Sequence, residues 1–277
     1  MFKVLGCFFV DVRPQIRVIS LNTLYLFASN DAVRDCSETK KNMHQKLGSD
    51  KWGRGCDEQN AGDCVLDWLE SLLQISQEMN MSVQITGHIP PSYANYKKRC
   101  YDRFAQIGTK YRTMIKSQFY GHLNIDHFYF ATETDSVIKP IVKKKGYGIM
   151  LSPSWVISYC RNLIDHYKNI NEMAESQVGF PILVSPSIVP AFNPSFRVFK
   201  ISTDPMRLGE VVGYTQYWLD LAAETIEVAV EYSFQNAYEF DYRKRVLGWI
   251  DLAGRIVNGE YLRAEYFLNM VVGRKIG

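Results

Sequence analysis

Helix-like and strand-like patterns alternate in the first half of the chain, and each pair leads to a Gly-His dipeptide. Apolar residues recur at helical spacing over 63–79, a strand pattern covers 82–86, and Gly87-His88 follows. A second helical pattern covers roughly 97–117 and is followed by Gly121-His122. In open α/β sheets, ligands bind at the carboxyl ends of strands. The two histidines are therefore predicted to converge on one site.

The rest of the chain carries further strand and helix signals. Asp63 is placed to cap the first helix, and residues 30–62 have no periodicity, which predicts a long loop. The other predicted elements are a hairpin of strands over 2–12 and 16–22, a strand over 128–130, a helix over 154–169, two strands within 183–202, a strand pair within 210–234 and helices over 242–272. The predicted fold class is α/β.

Composition excludes few functions. The chain has 277 residues, of which 47% are hydrophobic and 22% charged, as in ordinary globular proteins. A net charge of +3 does not by itself indicate binding to nucleic acid, and no nucleic-acid partner is expected. No apolar run approaches the ~18 residues that span a bilayer, so no transmembrane segment is predicted. The oligomeric state is left open.

The cysteines allow two interpretations. None of the six forms a C-x-x-C pair, which disfavours a zinc knuckle or a thioredoxin-type redox site. Cys36, Cys56 and Cys64 lie in or beside the long loop, where a secreted or lumenal protein places disulfides, whereas a cytosolic protein would keep them as free thiols. The sequon at Asn80 is a possible glycosylation site.

The segment after the second helix is rich in metal-ligand side chains. His122, Asn124, Asp126 and His127 fall within six positions, in a chain with five histidines. A glycine before a histidine permits a sharp turn, and imidazole is the commonest metal ligand in proteins. An isolated cluster of this kind is more often a polar turn, but the second Gly-His pair at His88 favours a metal site.

These motifs resemble those of a known family. "TGHIPPS" at 86–92 and "YGHLNIDHF" at 120–128 are similar to the last two metal-binding motifs of the calcineurin-like metallophosphoesterases, in the acid-sphingomyelinase-like branch. The fungal endopolyphosphatases are the more similar group within it. Further segments shared with them are "ISLNTLY" at 19–25, "LDWLE" at 66–70, "RCYDRF" at 99–104, "PSIVPAFNPSFRVF" at 186–199 and "YTQYWLDL" at 214–221.

The resemblance implies a fold and a set of metal ligands. It implies the carboxyl half of a metallophosphoesterase β-sandwich flanked by helices over 1–202, followed by an α/β carboxyl-terminal extension over 203–277, with strands and then helices. Two divalent ions (Mn, Zn, Co or Mg) are expected for the intact domain. His88, His122 and Asn124 match ligand positions, with Asn124 standing where the family usually has a second histidine. Asp126 and His127 are assigned to contacts with the metal-binding side chains or with substrate.

The resemblance also has a gap. The earlier family motifs Asp-x-His, Gly-Asp-x-x-Asp and Gly-Asn-His-Asp/Glu do not occur, and neither Asn22-Thr23 nor Gly62-Asp63 satisfies them. The amino-terminal half of the domain is therefore expected to be missing, no catalytic residue is assigned, and this chain alone is expected to hydrolyse little. The alternatives are a non-catalytic relative that binds or regulates, and a sphingomyelin phosphodiesterase-like enzyme.

The implied function is metal-dependent hydrolysis of internal phosphoanhydride bonds in inorganic polyphosphate, on the lumenal side of the vacuole. A basic stretch fits a polyanionic partner, although a solvated helix face explains most of it equally well. Arg99 and Arg103 are the candidates for substrate contact. The full stretch comprises Lys97, Lys98, Arg99, Arg103, Lys110, Arg112 and Lys116, and Lys143-Lys144-Lys145 lie further along the chain.

Overall fold

The structure is a computed structural model that describes residues 5–37, 56, 59–132, 153–189 and 192–272. Lys143-Lys144-Lys145, Ser152 before the predicted 154–169 helix, and much of the predicted 30–62 loop lie outside these ranges. The described strands are β1 Phe8–Arg13, β2 Ile16–Leu21, β3 Ser82–Gly87, β4 Ile115–Tyr120, β5 His127–Tyr129, β6 Ile182–Val184, β7 Ser195–Ile201, β8 Val211–Leu219 and β9 Val228–Ser233. The described helices are α1 Ala61–Glu78, α2 Lys98–Lys110, α3 Pro153–Glu172, α4 Phe234–Ala237, α5 Val246–Asn258 and α6 Glu260–Met270.

The larger sheet has six strands in the order β1-β2-β3-β4-β6-β5. Its inner strands β2, β3, β4 and β6 are parallel, whereas β1 and β5 pair antiparallel at the edges. α1 connects β2 to β3, and α2 connects β3 to β4, as parallel neighbours require. The predicted helix-strand units and the β1-β2 hairpin are confirmed, and the fold class is α/β.

The smaller sheet consists of β7, β8 and β9, all antiparallel. It packs on one face of the larger sheet. Phe119 of β4 lies 4.7 Å from Phe199 of β7 between ring centroids, and Gln84 of β3 donates a hydrogen bond to the Gly209 carbonyl. Because side chains alternate along a strand, the other face of β3 presents Val83 and Ile85. Both are buried in the main core together with the apolar faces of α1 and α2.

The carboxyl-terminal helices complete the core near β5. α5 packs against α3 and α6, and Trp249 of α5 is 1% exposed in contact with Phe128 of β5. Tyr167 of α3 donates a hydrogen bond to the Phe128 carbonyl oxygen, and Tyr266 of α6 accepts one from the Phe128 amide. The predicted boundary at residue 202 stays a prediction. β7 ends before this position and pairs with β8 after it.

Two sequence predictions about the helices were wrong. The predicted helix over 97–117 ends at Lys110, and β4 begins at Ile115. Met114 and Ile115 continue the helical spacing of α2, but pairing with β3 fixes the segment as a strand. Asn60, and not Asp63, is the N-cap residue of α1. The Asp63 carboxylate lies in the first turn and accepts hydrogen bonds from Ser37.

Two disulfides are present, Cys36–Cys100 and Cys56–Cys64. The first joins the segment after β2 to the first turn of α2, and the second joins residues on either side of the start of α1. Cys7 and Cys160 are buried free thiols. Of the two interpretations of the cysteines, the structure favours the disulfide one. None of the described helices is long and apolar enough to cross a bilayer.

Candidate metal centre

The ends of two neighbouring parallel strands bring His88 and His122 together. β3 ends at Gly87 and β4 at Tyr120, and these strands pair in parallel register, so the loops that follow leave the same edge of the sheet. The Gly121 amide donates a hydrogen bond of 3.0 Å to the carbonyl oxygen of His88. The predicted convergence of the two Gly-His loops is what the structure shows.

The spacing of the two imidazoles suits one shared ion. Their ring centroids lie 5.2 Å apart with the planes at 81°. A ring nitrogen about 2 Å from a zinc-like ion puts each centroid about 3.2 Å from it, and a tetrahedral angle then separates the centroids by about 5 Å. The observed spacing therefore fits two ligands of a single divalent cation.

Gly87 permits the close packing beneath this site. A Cβ atom added to Gly87 would lie 2.7 Å from Cγ2 of Thr23 and 2.9 Å from Cε1 of Tyr120. Thr23 in turn accepts a hydrogen bond of 2.8 Å from the Ile89 amide through its hydroxyl oxygen. The turn that carries His88 is thus tied to the end of β2 and leaves no room for a side chain at Gly87.

His122 and Asn124 share an unusual backbone conformation. Their φ angles are 67° and 57°, in the left-handed region, which residues other than glycine adopt uncommonly and Asn and His more often than most. Burial alternates along the loop, because Leu123 and Ile125 are 5% and 0% exposed whereas His122 and Asn124 are partly exposed. The two predicted ligands therefore remain at the surface of the loop while their neighbours anchor it. Backbone strain of this kind is concentrated at functional sites.

The environment of His122 favours a neutral ring. Burial and then the nearby His88 lower the pKa of His122 to about 4. A neutral imidazole keeps a lone pair for a metal ion. Phe27, just after β2, packs edge-on against His122 with ring centroids 5.2 Å apart and thereby limits its rotation.

Asp126 and His127 lie in the protein interior, at 3% and 1% exposed. The Asp126 carboxylate pairs with Arg197 and accepts hydrogen bonds from Tyr232 and Tyr214. His127 Nδ1 lies 3.1 Å from the Ile125 carbonyl oxygen, its Nε2 lies 2.7 Å from the Tyr159 hydroxyl, and burial lowers its pKa to about 3. Their predicted contacts with ligands or substrate stay a prediction.

The basic stretch divides by position into residues within and after α2 and residues at the amino-terminal end of this helix. Arg103 is 9% exposed and forms ion pairs with Asp63 and Asp67 of α1, so it joins two helices. In the same group, Lys110 pairs with Glu70, Lys116 with Glu210, and Arg112 donates to the Thr109 carbonyl oxygen. The other group, Lys97, Lys98 and Arg99, lies at the amino-terminal end of α2, where Lys98 and Arg99 are exposed.

The second group is connected to the histidine loops through the segment that contains Leu26 and Phe27. The Lys97 amide donates a hydrogen bond of 2.9 Å to the Leu26 carbonyl oxygen, and Tyr96 pairs with Phe27 in an isolated β-bridge. Phe27 is the residue that contacts His122. Lys97, Lys98 and Arg99 are therefore connected to His122 through the Tyr96–Phe27 bridge and the contact of the Phe27 ring with His122.

Arg197 is a functional candidate that sequence reasoning missed. It lies on β7, far along the chain from Asp126, and its own segment carries no histidine or acidic residue that points to metal chemistry. Its position within "PSFRVF" is part of the family resemblance, and this was the available signal.

The described residues offer few carboxylates for a second ion. Within the described ranges, the one group of three or more His, Cys, Asp or Glu side chains with metal-like spacing is Asp35, Cys36 and Cys100. Its two cysteines form a disulfide, so that group is not a metal site. Of the three predicted ligands, the structure brings the rings of His88 and His122 together, and Asn124 follows two positions after His122 on the same loop.

Comparison with known proteins gives a consistent group of relatives, although no protein-family model matches the chain. The endopolyphosphatase of Kluyveromyces lactis is 25% identical over 265 residues, covering 83% of this chain and 36% of the relative. That of Yarrowia lipolytica is 28% identical over 288 residues, covering 92% and 34%, and that of Schizosaccharomyces pombe is 31% identical over 202 residues, covering 69% and 31%.

A solved structure, a dimetal phosphatase from Danio rerio, matches with a TM-score of 0.34 and 11% identity over 83% of this chain and 58% of that one. The first two curated relatives are matched over 36% and 42% of their length. The chain thus spans less than half of the curated relatives. Over most of its own length it is similar in sequence to the fungal endopolyphosphatases, and the resemblance predicted from its motifs is confirmed.

Proposed function

We propose that this chain forms part of a metal-dependent hydrolase that cleaves internal phosphoanhydride bonds of inorganic polyphosphate. The observation that carries the proposal is the meeting of His88 and His122 at adjacent strand ends, at a spacing that fits one shared ion. Similarity to proteins named endopolyphosphatase supports the substrate class. An ion bound there would supply Lewis-acid polarisation of a phosphoryl oxygen.

The chain's own residues have three tasks in this proposal. His88, His122 and the side-chain oxygen of Asn124 hold the ion. Phe27 limits the orientation of the His122 ring through its edge contact. Lys97, Lys98 and Arg99, at the amino-terminal end of α2, attract the polyanion and hold the rest of the polyphosphate chain beside the ion.

The last task predicts a salt-dependent contact. Three cations that neutralise phosphates release counterions, so polyphosphate affinity should fall roughly 20-fold between 50 and 200 mM salt. Replacing Lys97, Lys98 and Arg99 together by Gln should weaken binding and flatten this dependence. The charge-matched control replaces Lys168, Arg243 and Lys244, whose side chains are 54%, 74% and 50% exposed on α3 and near α5. Equal effects of the two triple variants on polyphosphate binding would argue against a specific binding role for Lys97, Lys98 and Arg99.

A second candidate function is non-catalytic binding. It is favoured by the lack, among the described residues, of a carboxylate grouped with His88 and His122. Two divalent cations at the ~3.5 to 4 Å spacing of two-metal sites repel strongly unless anionic ligands offset their charge. We therefore expect this chain by itself to bind one ion and polyphosphate but to release little product.

An oxidising compartment, proposed to be the vacuolar lumen, fits the two disulfides. Asn80 is exposed immediately after α1, where an oligosaccharide transferase could reach its sequon, and we propose that it is glycosylated. Loss of mass on treatment with a glycosidase, on protein purified from the host, tests this assignment.

The function is tested on the purified chain with Mn²⁺ and long-chain polyphosphate, with sphingomyelin as the competing substrate. Calorimetry should show that the wild-type chain binds both Mn²⁺ and polyphosphate. His88→Ala and His122→Ala should each abolish Mn²⁺ binding. Turnover should be low. Substantial turnover that His122→Ala removes would favour hydrolysis by this chain over the binding function. A chain that binds neither Mn²⁺ nor polyphosphate would refute both functions.

A further inference from the structure

The loop that carries the predicted ligands is held from behind by a buried polar cluster, which we call the Asp126 clamp. It consists of Asp126, Arg197, Tyr214 and Tyr232, with the main-chain carbonyl of Met270. The family resemblance assigns Asp126 only to contacts with the metal ligands or with substrate, and it assigns no role to Arg197, Tyr214 or Tyr232. We propose that Arg197, acting through Asp126, is a positioning residue that keeps His122 and Asn124 in the conformation that faces His88. This inference rests on the proposed metal site.

The loop needs an external constraint. Two non-glycine residues, His122 and Asn124, have left-handed φ angles, a conformation that an L side chain makes less favourable than ordinary backbone. Such a conformation persists only where the surrounding structure fixes both ends of the segment. The amino-terminal end is fixed by the hydrogen bond from the Gly121 amide to the His88 carbonyl oxygen.

Asp126 fixes the other end on two sides. Its amide donates a hydrogen bond of 3.0 Å to the Met270 carbonyl oxygen, at the end of α6. Its carboxylate is bound by the guanidinium of Arg197 and by the hydroxyls of Tyr232 and Tyr214. The loop is thus attached to the smaller sheet and to the last helix, two elements distant in sequence.

Arg197 is itself held in a fixed orientation. Its Nε donates a hydrogen bond of 2.6 Å to Oε1 of Gln216, and its Nη1 donates one of 3.1 Å to the Val184 carbonyl oxygen. The guanidinium carbon lies 4.4 Å from the centroid of the Tyr214 ring. Its side chain is 1% exposed. The planar group therefore presents its remaining nitrogen, Nη2, to Asp126 in one direction only.

A buried ion pair is a poor source of net stability, because desolvation of the two charges offsets their attraction and an apolar pair of similar volume often does as well. What an apolar pair lacks is direction. The Asp126 clamp determines where the peptide of residue 126 sits, and hence where Asn124 and His122 point. An experiment that measures metal affinity and unfolding separately can therefore distinguish a positioning role of Arg197 from a stabilising one.

The experiment compares three variants of the full chain with the wild type. Arg197→Met removes the clamp, and the pair Asp126→Leu with Arg197→Met replaces it by apolar side chains. Arg17→Met is the matched control, because Arg17 has a side chain 4% exposed and pairs with Asp11 in the β1-β2 hairpin, at the edge of the larger sheet opposite β5. Cobalt(II) affinity is followed by visible absorption, unfolding by urea, and the loop by the ¹³C chemical shifts of residues 121–126.

We expect Arg197→Met to weaken cobalt binding at least tenfold and to remove the left-handed shift pattern at His122 and Asn124. The apolar pair should recover stability without recovering cobalt affinity or the loop shifts. Arg17→Met should lower stability and leave both loop readouts unchanged. Cobalt affinity of Arg197→Met within twofold of the wild type would overturn the proposal, as would full recovery of affinity by the apolar pair.

Two further outcomes are decisive. If Arg197→Met does not fold, Tyr232→Phe removes a single hydrogen bond to Asp126, and an affinity loss of twofold or more supports the proposal whereas an unchanged affinity overturns it. If the wild type binds no cobalt, the proposed function fails. The loop shifts of wild type and variant then still decide whether Arg197 positions the loop.

Discussion

Removal of the Cys36–Cys100 disulfide should destabilise the protein more than removal of Cys56–Cys64. A disulfide restricts the unfolded chain, and the entropy lost grows with the logarithm of the closed loop. The two bonds close loops with sequence separations of 64 and 8. In this chain-entropy treatment the longer loop corresponds to about 14 cal/mol/K, or about 4 kcal/mol at 298 K, and the shorter one to about 2.5 kcal/mol.

The structure changes this comparison only slightly. The short loop is nested in the long one, which shortens the effective long loop to roughly 56 residues and lowers its contribution by about 0.1 kcal/mol. Asp35 still caps α2 through the Arg99 and Cys100 amides when the disulfide is absent, because those bonds are made by its own carboxylate. The helix start is therefore retained, and the loss is expected to come mainly from the unfolded state.

The assay is equilibrium unfolding in guanidinium chloride of Cys36→Ala with Cys100→Ala, beside Cys56→Ala with Cys64→Ala. Alanine avoids leaving a buried hydroxyl, since Cys36 and Cys100 are 1% and 0% exposed. Two-state transitions should give a larger loss of unfolding free energy for the first pair, by about 1 to 2 kcal/mol. A reversed order, or a loss below about 1 kcal/mol for Cys36–Cys100, would refute the loop-entropy reasoning.

Three other predictions concern single side chains. Arg103→Met leaves Asp63 and Asp67 without their cation and should cost about 2 to 3 kcal/mol in urea unfolding, whereas Arg243→Met, at an exposed pair, should cost under about 0.5 kcal/mol. Burial raises the pKa of Glu231 to about 7, so its contribution to stability is present below about pH 4.5 and is lost as the pH rises through 7. Glu231→Gln should remove about 2 kcal/mol of that pH dependence, a value reduced because the side chain is partly exposed. Equal unfolding curves of wild type and variant at both pH 5 and pH 8 would contradict this prediction. Gly87→Ala forces its methyl group into Thr23 and Tyr120 and should weaken cobalt binding at least tenfold, whereas Gly108→Ala in α2, with no atom within 4 Å, should stabilise the protein by about 0.5 to 1 kcal/mol and leave cobalt binding unchanged.

The sequence could predict the part of the fold that local periodicity determines. The change from helical to strand spacing around residues 80 and 120 places His88 and His122 at strand ends, and the parallel order of β3 and β4 follows from the helix between them. The same reasoning extended α2 to residue 117. Nothing in the local spacing of Met114 and Ile115 distinguishes a helix end from a strand that pairs elsewhere.

Contacts between distant segments were beyond sequence reasoning. Asp126 and Arg197 meet because β7 packs over the larger sheet, and no local pattern announces that docking. Cys36 pairs with Cys100 in a helix, although the neighbouring loop cysteines offered closer partners in sequence. Disulfide connectivity cannot be deduced from spacing alone. The candidate metal ligands could be proposed from sequence because their residue types are chemically specific, whereas the residue types that hold their loop in place are not.

The central claim is that His88 and His122 bind the same ion. A zinc titration followed by the ¹H–¹⁵N spectrum of the imidazoles tests it directly. The resonances of both rings should shift together and saturate at one equivalent, and in His122→Ala the His88 resonance should shift only at much higher zinc concentration. Independent shifts of the two rings, saturating at two equivalents, would contradict the account.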